Sequence, residues 1–514
     1  MAQRQNYSLQ TLENKESLPT FTSKGTCVSI RNSFSEEQHS DTVVSASVDV
    51  KSSDHSDDLT VAEIKSRQPL VRFLILVFIM LLLIYSFVLT QLITSQYIYA
   101  YIRKTMFPNV SFSTNESECQ INKTSQVYSD QQIVQKHAAQ LNIYLELAKG
   151  IPGILSIWFY GSLSDKYGRK PFLLIPFAGN MIKCILITLG MFFNWNIYTF
   201  MFFNFFDGIG GTWVLAMSVV MSIVADVTEP GKTRSFIIAM TEISLGFGLI
   251  IGGFTSGFLI KAVGFTYSML VCSCCSLIPV ILLIFVPETF KKSKDNQRKT
   301  ITQFAVDIYV FYVRDSSIKG KRKIFVVCLL IYFCILQAAF GGNGIETLYG
   351  LNSPFCWSSV QVGTYITLRG GLPFATGLLL FRPLQLCLDE GFIAILAVLS
   401  NFAGFVLEAF SYNTVMLFLV PALSFARTMA VPVLRGIMSR LTPHNKQGSM
   451  FAGMAIVETF CSLYGSVVSN AIYGETVEIF RGAAFLFLAG FLFIALVLSF
   501  VLYVLNRKSK ADEA

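Results

Sequence analysis

Apolar runs long enough to cross a bilayer recur along almost the whole of this 514-residue chain. A spanning helix needs about 20 mostly apolar residues, and windows of that character fall at 70–100, 142–163, 171–194, 198–224, 235–260, 267–286, 324–348, 360–381, 391–409, 414–437, 448–472 and 482–505. The expected fold is therefore an all-α membrane protein of twelve transmembrane helices. Composition agrees: 53% of residues are hydrophobic and 14% are charged, against about 25% charged in soluble domains. The formal net charge of +8 gives no case for nucleic acid, because the lysines and arginines fall mostly in the connections between runs.

Those connections orient the chain. The segment 291–323, the turn between the second and third runs and the tail from Arg507 to Lys510 are rich in Lys and Arg, whereas the 3–4, 7–8 and 9–10 connections have almost none. Positive charge collects on the cytosolic side, so both termini and the long central loop are expected there. Three N-x-S/T sequons, at Asn109, Asn115 and Asn122, cluster in the connection after the first run. That loop is expected to be extracytosolic and glycosylated. No basic-then-apolar stretch with a small-residue cleavage site opens the sequence given, so the first span is expected to serve as its own insertion signal.

The domain reading follows. Residues 1–68 are rich in Ser, Thr, Glu and Asp and read as a disordered cytosolic tail. Residues 69–290 form an N-terminal six-helix bundle with its outer loop at 101–140, residues 291–323 a cytosolic connection, 324–505 a C-terminal six-helix bundle and 506–514 a cytosolic tail. Within the connection, 301–313 alternates apolar and polar residues well enough for a short surface-lying helix. Of eleven cysteines, only Cys119 and Cys356 fall in expected outer loops, one in each half. An oxidising face allows them to pair, which would staple the halves at the rim.

One connection is more than a basic turn. Gly161-Ser-Leu-Ser-Asp165-Lys-Tyr-Gly168-Arg169-Lys170 places four formal charges between two spans, with glycines that permit close backbone approach. The pattern resembles the signature between helices two and three of the major facilitator superfamily, which implies two bundles of six helices that open in turn to either side. Narrower pieces resemble the proton-coupled folate transporter family and its lysosomal sterol-conjugate transporter relatives. They are Leu92-Ile-Thr-Ser-Gln-Tyr-Ile-Tyr99, Ile151-Pro-Gly153, Asp207-Gly-Ile-Gly-Gly211, Ala225-Asp-Val227, Thr347-Leu-Tyr-Gly-Leu-Asn-Ser-Pro-Phe-Cys-Trp357, Val431-Pro-Val-Leu-Arg435 and Gln447-Gly. The resemblance covers nearly everything after residue 70 and implies a proton-driven carrier of small organic anions, a monomer at the plasma or an endolysosomal membrane. Members of that family that carry folate have a histidine where this chain has Ala339. All four histidines (His39, His55, His137, His444) lie outside the expected membrane centres.

Ionisable groups at membrane depth are functional candidates by default, since each costs several kcal/mol unless it faces a cavity or a partner. The resemblance gives Glu242 in span five a role in proton coupling; a structural partner for a buried cation is the other reading. Asp207, ahead of Gly-x-Gly-Gly in span four, is either part of the translocation route and its coupling or a structural acceptor. Asp226 is implied to pair with Arg169 of the signature turn, while Asp165 faces the N-terminus of span eleven; with Gly161 and Gly168 they would form a gate latch. Arg435 and Arg369 are candidate anion clamps, because a guanidinium binds carboxylate or sulfate in a forked geometry. Glu346 would neutralise Arg369, and if the two bind only each other their role is packing. Asn142, Glu146 and Lys149 share one face of span two at i, i+4 and i+7, as substrate ligands or as partners of each other. Glu408 and Arg427 are placed near enough to a span end to reach the interface, and Glu458 deeper.

The leading function is thus secondary active transport, proton-coupled symport of a small organic anion by alternating access. A non-transporting receptor or scaffold on a transporter fold is the alternative. No nucleophile elbow, metal-spaced His/Cys cluster or phosphate loop is present in the sequence, so no enzyme activity, cofactor or metal is expected.

Overall fold

The computed structural model describes residues 55–108, 126–227, 232–286, 288, 306, 309–312, 322–442 and 447–512. Every regular element among them is helical: α1 (His55–Met106), α2 (Gln126–Tyr167), α3 (Arg169–Phe192), α4 (Thr199–Ile209), α5 (Thr212–Val227), α6 (Lys232–Phe285), α7 (Arg322–Leu351), α8 (Ser359–Cys387), α9 (Glu390–Ala409), α10 (Thr414–Leu423), α11 (Ala430–Leu441), α12 (Gln447–Thr476) and α13 (Ala483–Asp512). With no water at membrane depth, a helix satisfies its own backbone, and apolar side chains can face lipid directly. Phe254, Phe258, Phe285 and Leu379 do face outward, each at least half exposed or nearly so.

Each of the twelve expected spans falls on helix. By length and composition alone, nine helices among the described residues qualify to cross a membrane. The remainder has physical causes. Helix α6 is 54 residues with a non-helical residue, Gly264 at φ 75°, inside it. At 1.5 Å per residue it would be about 80 Å if straight, so it is two passes joined at that glycine. Helices α2 and α8 are more polar, α2 carrying Glu146, Lys149 and an amide-rich first third.

Two spans are broken partway. Span four divides between α4 and α5, with Gly211 at φ 80° and Thr212 at φ 58°. Span ten divides between α10 and α11, with Pro421 near the end of α10 and a 3-10 turn at Arg427–Met429. The fourth span of each half is thus interrupted at a similar point along its length.

Boundaries differ from expectation at both ends of the first loop. Helix α1 reaches back to His55, inside the expected tail, and α2 begins at Gln126, so its first 16 residues, 126–141, continue beyond the expected span. Asn109, Asn115, Asn122 and Cys119 lie outside the described residues. So does most of the expected surface helix at 301–313. Its helical residues 309–312 are described, and there Tyr312 donates to the Met450 carbonyl at 2.7 Å, seating the connection against α12.

Packing runs both within and between the halves. Helix α3 packs on α4 and α6, α9 on α13, and α7 on α12 and α13. The halves meet along α2 with α12 and α6 with α8. The second contact is very close, since a Cβ on Gly257 would stand 2.4 Å from the Ser359 carbonyl oxygen. Small residues let helix backbones approach when lipid is as apolar as the interface.

Candidate functional site

A cavity of ≈ 30 Å³ lies between the halves, lined by Phe87, Glu146, Lys149, Trp213, Thr459, Ser462 and neighbouring glycines and aliphatics. Phe87 comes from α1, Glu146 and Lys149 from α2 and Trp213 from α5, whereas Thr459 and Ser462 come from α12 of the other half. Lys149 Nζ stands 2.8 Å from Glu146 Oε1, both side chains 12% exposed. The predicted helical face therefore carries an internal ion pair into the cavity. Trp213 spans the junction, its ring 6.4 Å from Phe87 and 6.5 Å from Phe340 on α7. The volume admits water, whereas sites for organic ligands run to about 300 Å³ or more. Loading a substrate requires the halves to part.

Behind the Phe87 ring is a second pair that sequence reasoning did not assemble. Lys183 on α3 binds Asp207 at 2.6 Å, with the two side chains 3% and 2% exposed. The Lys149 and Lys183 ammonium groups lie 5.6 and 5.5 Å from the Phe87 centroid. Lys183 sits in the middle of the third expected span, and that position in an apolar window is the signal that marks it.

The C-terminal half holds its own buried charges. Arg369 on α8 approaches Glu346 on α7 at 3.3 Å and Glu408 on α9 at 3.2 Å. Ser424 Oγ accepts from its NH1 at 3.0 Å, and Tyr365 donates to Glu408 Oε1 at 2.7 Å. The Phe405 ring lies 4.9 Å from the guanidinium. Glu408 is fully buried, not at the interface as its position near a helix end suggested; it sits on the inward face of α9, where Arg369 draws it. None of these residues lines the cavity. Arg435 is elsewhere again, in a half-buried group where it binds Glu458 at 3.2 Å and the Tyr332 hydroxyl at 3.1 Å.

At the signature turn, Gly168 has φ 112° and α3 begins directly after it. The Arg169 and Lys170 amides donate to the two carboxylate oxygens of Glu288 at 2.9 and 3.0 Å. A carboxylate here satisfies free amides and opposes the positive helix end. A Cβ on Gly168 would come within 2.7 Å of Glu288 Oε2. Arg169 also donates to Ser164 Oγ at 2.9 Å. Gly161 lies within helix α2, and the side chains of Glu242, Asp165 and Asp226 are not among those the structure describes. Glu288 was not expected; its signal was an acid just past the end of span six.

The opposite end of α2 is tied to the other half. Gln132 and Asn352 exchange hydrogen bonds, Asn352 donates to the Tyr473 hydroxyl at 3.3 Å, and Tyr473 donates to Gln135 at 3.4 Å. Lys136 pairs with Glu475 at 2.9 Å. Cys356 is disulfide-bonded, and Gln131 reaches its sulfur at 3.6 Å; the expected partner, Cys119, is among the residues not described.

A many-pass helical protein whose halves enclose a charged cavity, latched at one end and held by a capped turn at the other, is built as a membrane transporter. The chain belongs to the major facilitator superfamily, whose profile matches residues 147–466. It is 27% identical over 427 residues to the lysosomal proton-coupled steroid conjugate and bile acid symporter of Gallus gallus, covering 80% of this chain and 90% of the relative. It is 26% identical over 423 residues to the proton-coupled folate transporter of Rattus norvegicus, covering 82% and 90%. Among solved structures it resembles the human organic anion transporter MFSD10 (TETRAN), with a TM-score of 0.58 at 15% identity, covering 83% of this chain and 98% of that one.

Proposed function

We propose that this transporter is a proton-coupled symporter of a small organic anion, moved by alternating opening of its two halves around the cavity at Lys149. One observation carries the reading: the Glu146–Lys149 pair stands in a cavity shared by both halves. Charges at membrane depth face a partner or a water-reachable cavity, and this pair does both at the seam between the halves. An incoming carboxylate or sulfate displaces Glu146 from Lys149, and Phe87, Trp213 and Phe340 offer ring faces to the ligand's apolar part. The relatives named for steroid conjugates, bile acids and folate support an amphipathic anion as cargo. Their names also support proton coupling.

In the proposed orientation both termini are cytosolic, the Gln132–Asn352 network closes the non-cytosolic side and the signature turn lies inside. Either the plasma membrane or an endolysosomal membrane then places acid on the side from which protons enter. Uptake of labelled steroid sulfate, bile acid and pteroate into proteoliposomes tests the reading. Accumulation of at least one anion, driven by an acid-outside gradient and abolished by a protonophore, is expected. Equal flux with and without the gradient removes coupling, and no flux for any anion favours a receptor or scaffold.

A further inference from the structure

The carboxylates of the C-terminal half stand apart from the cavity yet are more deeply buried than the pair that lines it. Glu346, Arg369 and Glu408 are 4%, 1% and 0% exposed. One guanidinium lies between the two acids and does not serve them equally. Glu408 receives a hydrogen bond from Arg369 NH2 and another from the Tyr365 hydroxyl. The Arg369 Nε–Glu346 contact is at ion-pair distance, but Nε makes no hydrogen bond. Glu346 is therefore held to the arginine by charge without an aligned donor. Two buried carboxylates around one guanidinium is an arrangement in which a proton relieves like-charge repulsion.

The charged and titratable groups facing the pair are Tyr349 beside Glu346 on α7, Tyr365 and Arg369 on α8, Arg427 in the turn between α10 and α11, and Arg481 ahead of α13. Tyr349 and Arg481 touch backbone carbonyls, Glu408 and Ser411 for the first, Ser353 and Ser411 for the second. Counting Glu346, Glu408, Arg369 and Arg427 gives a formal charge of zero, to which Arg481 on its backbone carbonyls adds one positive charge, and a bound proton raises the sum by one more, a change that favours an anion in the protein.

The cluster also touches the break in span ten. Arg369 bonds Ser424, the residue at which α10 ends. Ser400 of α9 donates to the Leu423 carbonyl and accepts from the Ala426 amide, so side chains of the neighbouring helices hold the open backbone of this break. Discontinuous helices in matching positions of the two halves are where carriers build coupling sites. The break between α4 and α5 is the match, with buried Asp207 just ahead of it.

We propose that Glu346 and Glu408 together hold one transported proton, with Arg369 between them, and that its arrival and departure are felt at the break in span ten through Ser424. This rests on the symport reading above and names its coupling site. Loading the pair frees Glu346 from Arg369 and leaves the Arg369–Glu408–Tyr365 bonds in place.

The test compares two modes of transport in proteoliposomes: accumulation driven by an acid-outside gradient, and counterflow exchange of labelled for unlabelled anion at equal pH. Glu346→Gln and Glu408→Gln each fix a neutral side chain of the same size. Both are expected to lower accumulation at least tenfold while exchange falls by no more than about fivefold. Accumulation retained by either variant, or exchange lost as fully as accumulation in protein that elutes as a monodisperse species, overturns the proposal. If a single variant does not reach the membrane, Glu346→Gln with Arg427→Gln keeps the Arg369–Glu408 pair and a net charge of zero. Exchange without accumulation is then expected, and restored accumulation would show the cluster to be structural. Absence of gradient-driven accumulation in the wild-type protein would instead defeat the symport reading itself.

Discussion

Gln132 and Asn352 hold each other by two hydrogen bonds, at 3.0 and 3.2 Å, across the junction between the N-terminal and C-terminal halves. Both residues are buried, and Asn352 also reaches Tyr473, so one asparagine joins α2, the end of α7 and α12. An amide network does not titrate in the physiological range, so this closure is set by geometry and not by pH.

The first prediction concerns that closure. Asn352→Ala removes the amide from three partners and leaves Gln132 unpaired, a loss of roughly 1–3 kcal/mol from the closed arrangement. A shift of that size changes the open-to-closed ratio about 5- to 150-fold. A Ser462→Cys reporter in the cavity should label severalfold faster with a membrane-impermeant thiol reagent applied on the Gln132 side. Labelling unchanged from the Asn352 parent would show that the network does not hold the halves together.

The second prediction concerns the signature turn. Glu288 satisfies two amides at the start of α3 from the far end of α6. Glu288→Ala is expected to cost about 1–3 kcal/mol, the value of charge-assisted bonds at a helix start. Gly168→Ala should cost as much or more, because φ 112° disfavours a side chain and the new Cβ would collide with Glu288. Thermal unfolding in detergent reads both. In the Glu288→Ala background the Gly168→Ala effect should shrink, since the colliding carboxylate is gone; full additivity would contradict this geometry.

How far these features could be read beforehand depended on distance along the chain. The helical class, the span positions and the signature turn are local, written in runs of about 20 apolar residues and one short motif. The Glu146–Lys149 pair is local too, three residues apart on one helix, and both line the cavity, whereas Asn142, expected on the same face, does not. Lys183 and Asp207 are 24 residues apart on different helices, and Arg369 and Glu408 are 39 apart. No periodicity encodes such pairs, because helix rotation about its axis is decided by packing. Glu408 shows the consequence: its place near the end of α9 suggested access to the interface, and helix rotation put it inside. Glu288 lay just outside an apolar window, where a charge normally reads as solvated.

The third prediction addresses Asp207, for which a structural and a transport role were both open. Lys183→Met leaves a buried carboxylate without its cation and should destabilise the protein by about 3–5 kcal/mol. Asp207→Asn in the same chain removes the stranded charge and should recover most of the loss. If the double variant recovers both folded protein and gradient-driven transport, the pair is packing. Recovered stability with lost transport would place Asp207 on the coupling route.

The last prediction bears on the cavity. Lys149 and Glu146 neutralise each other when the site is empty, so an anion must compete with Glu146 for the ammonium group. Removing the competitor and removing the cation therefore have opposite signs. Glu146→Gln leaves Lys149 with a weaker partner and should lower the KM for an anionic substrate, by about 3- to 10-fold for a gain near 1 kcal/mol. Lys149→Gln removes the cation and should raise KM at least tenfold, with the folded yield little changed because Glu146 retains access to cavity water. Initial rates of exchange at equal pH separate binding from proton coupling. If the two substitutions move KM in the same direction, the pair is a structural strut and the anion is recognised elsewhere, with Arg435 beside Glu458 the next position to vary.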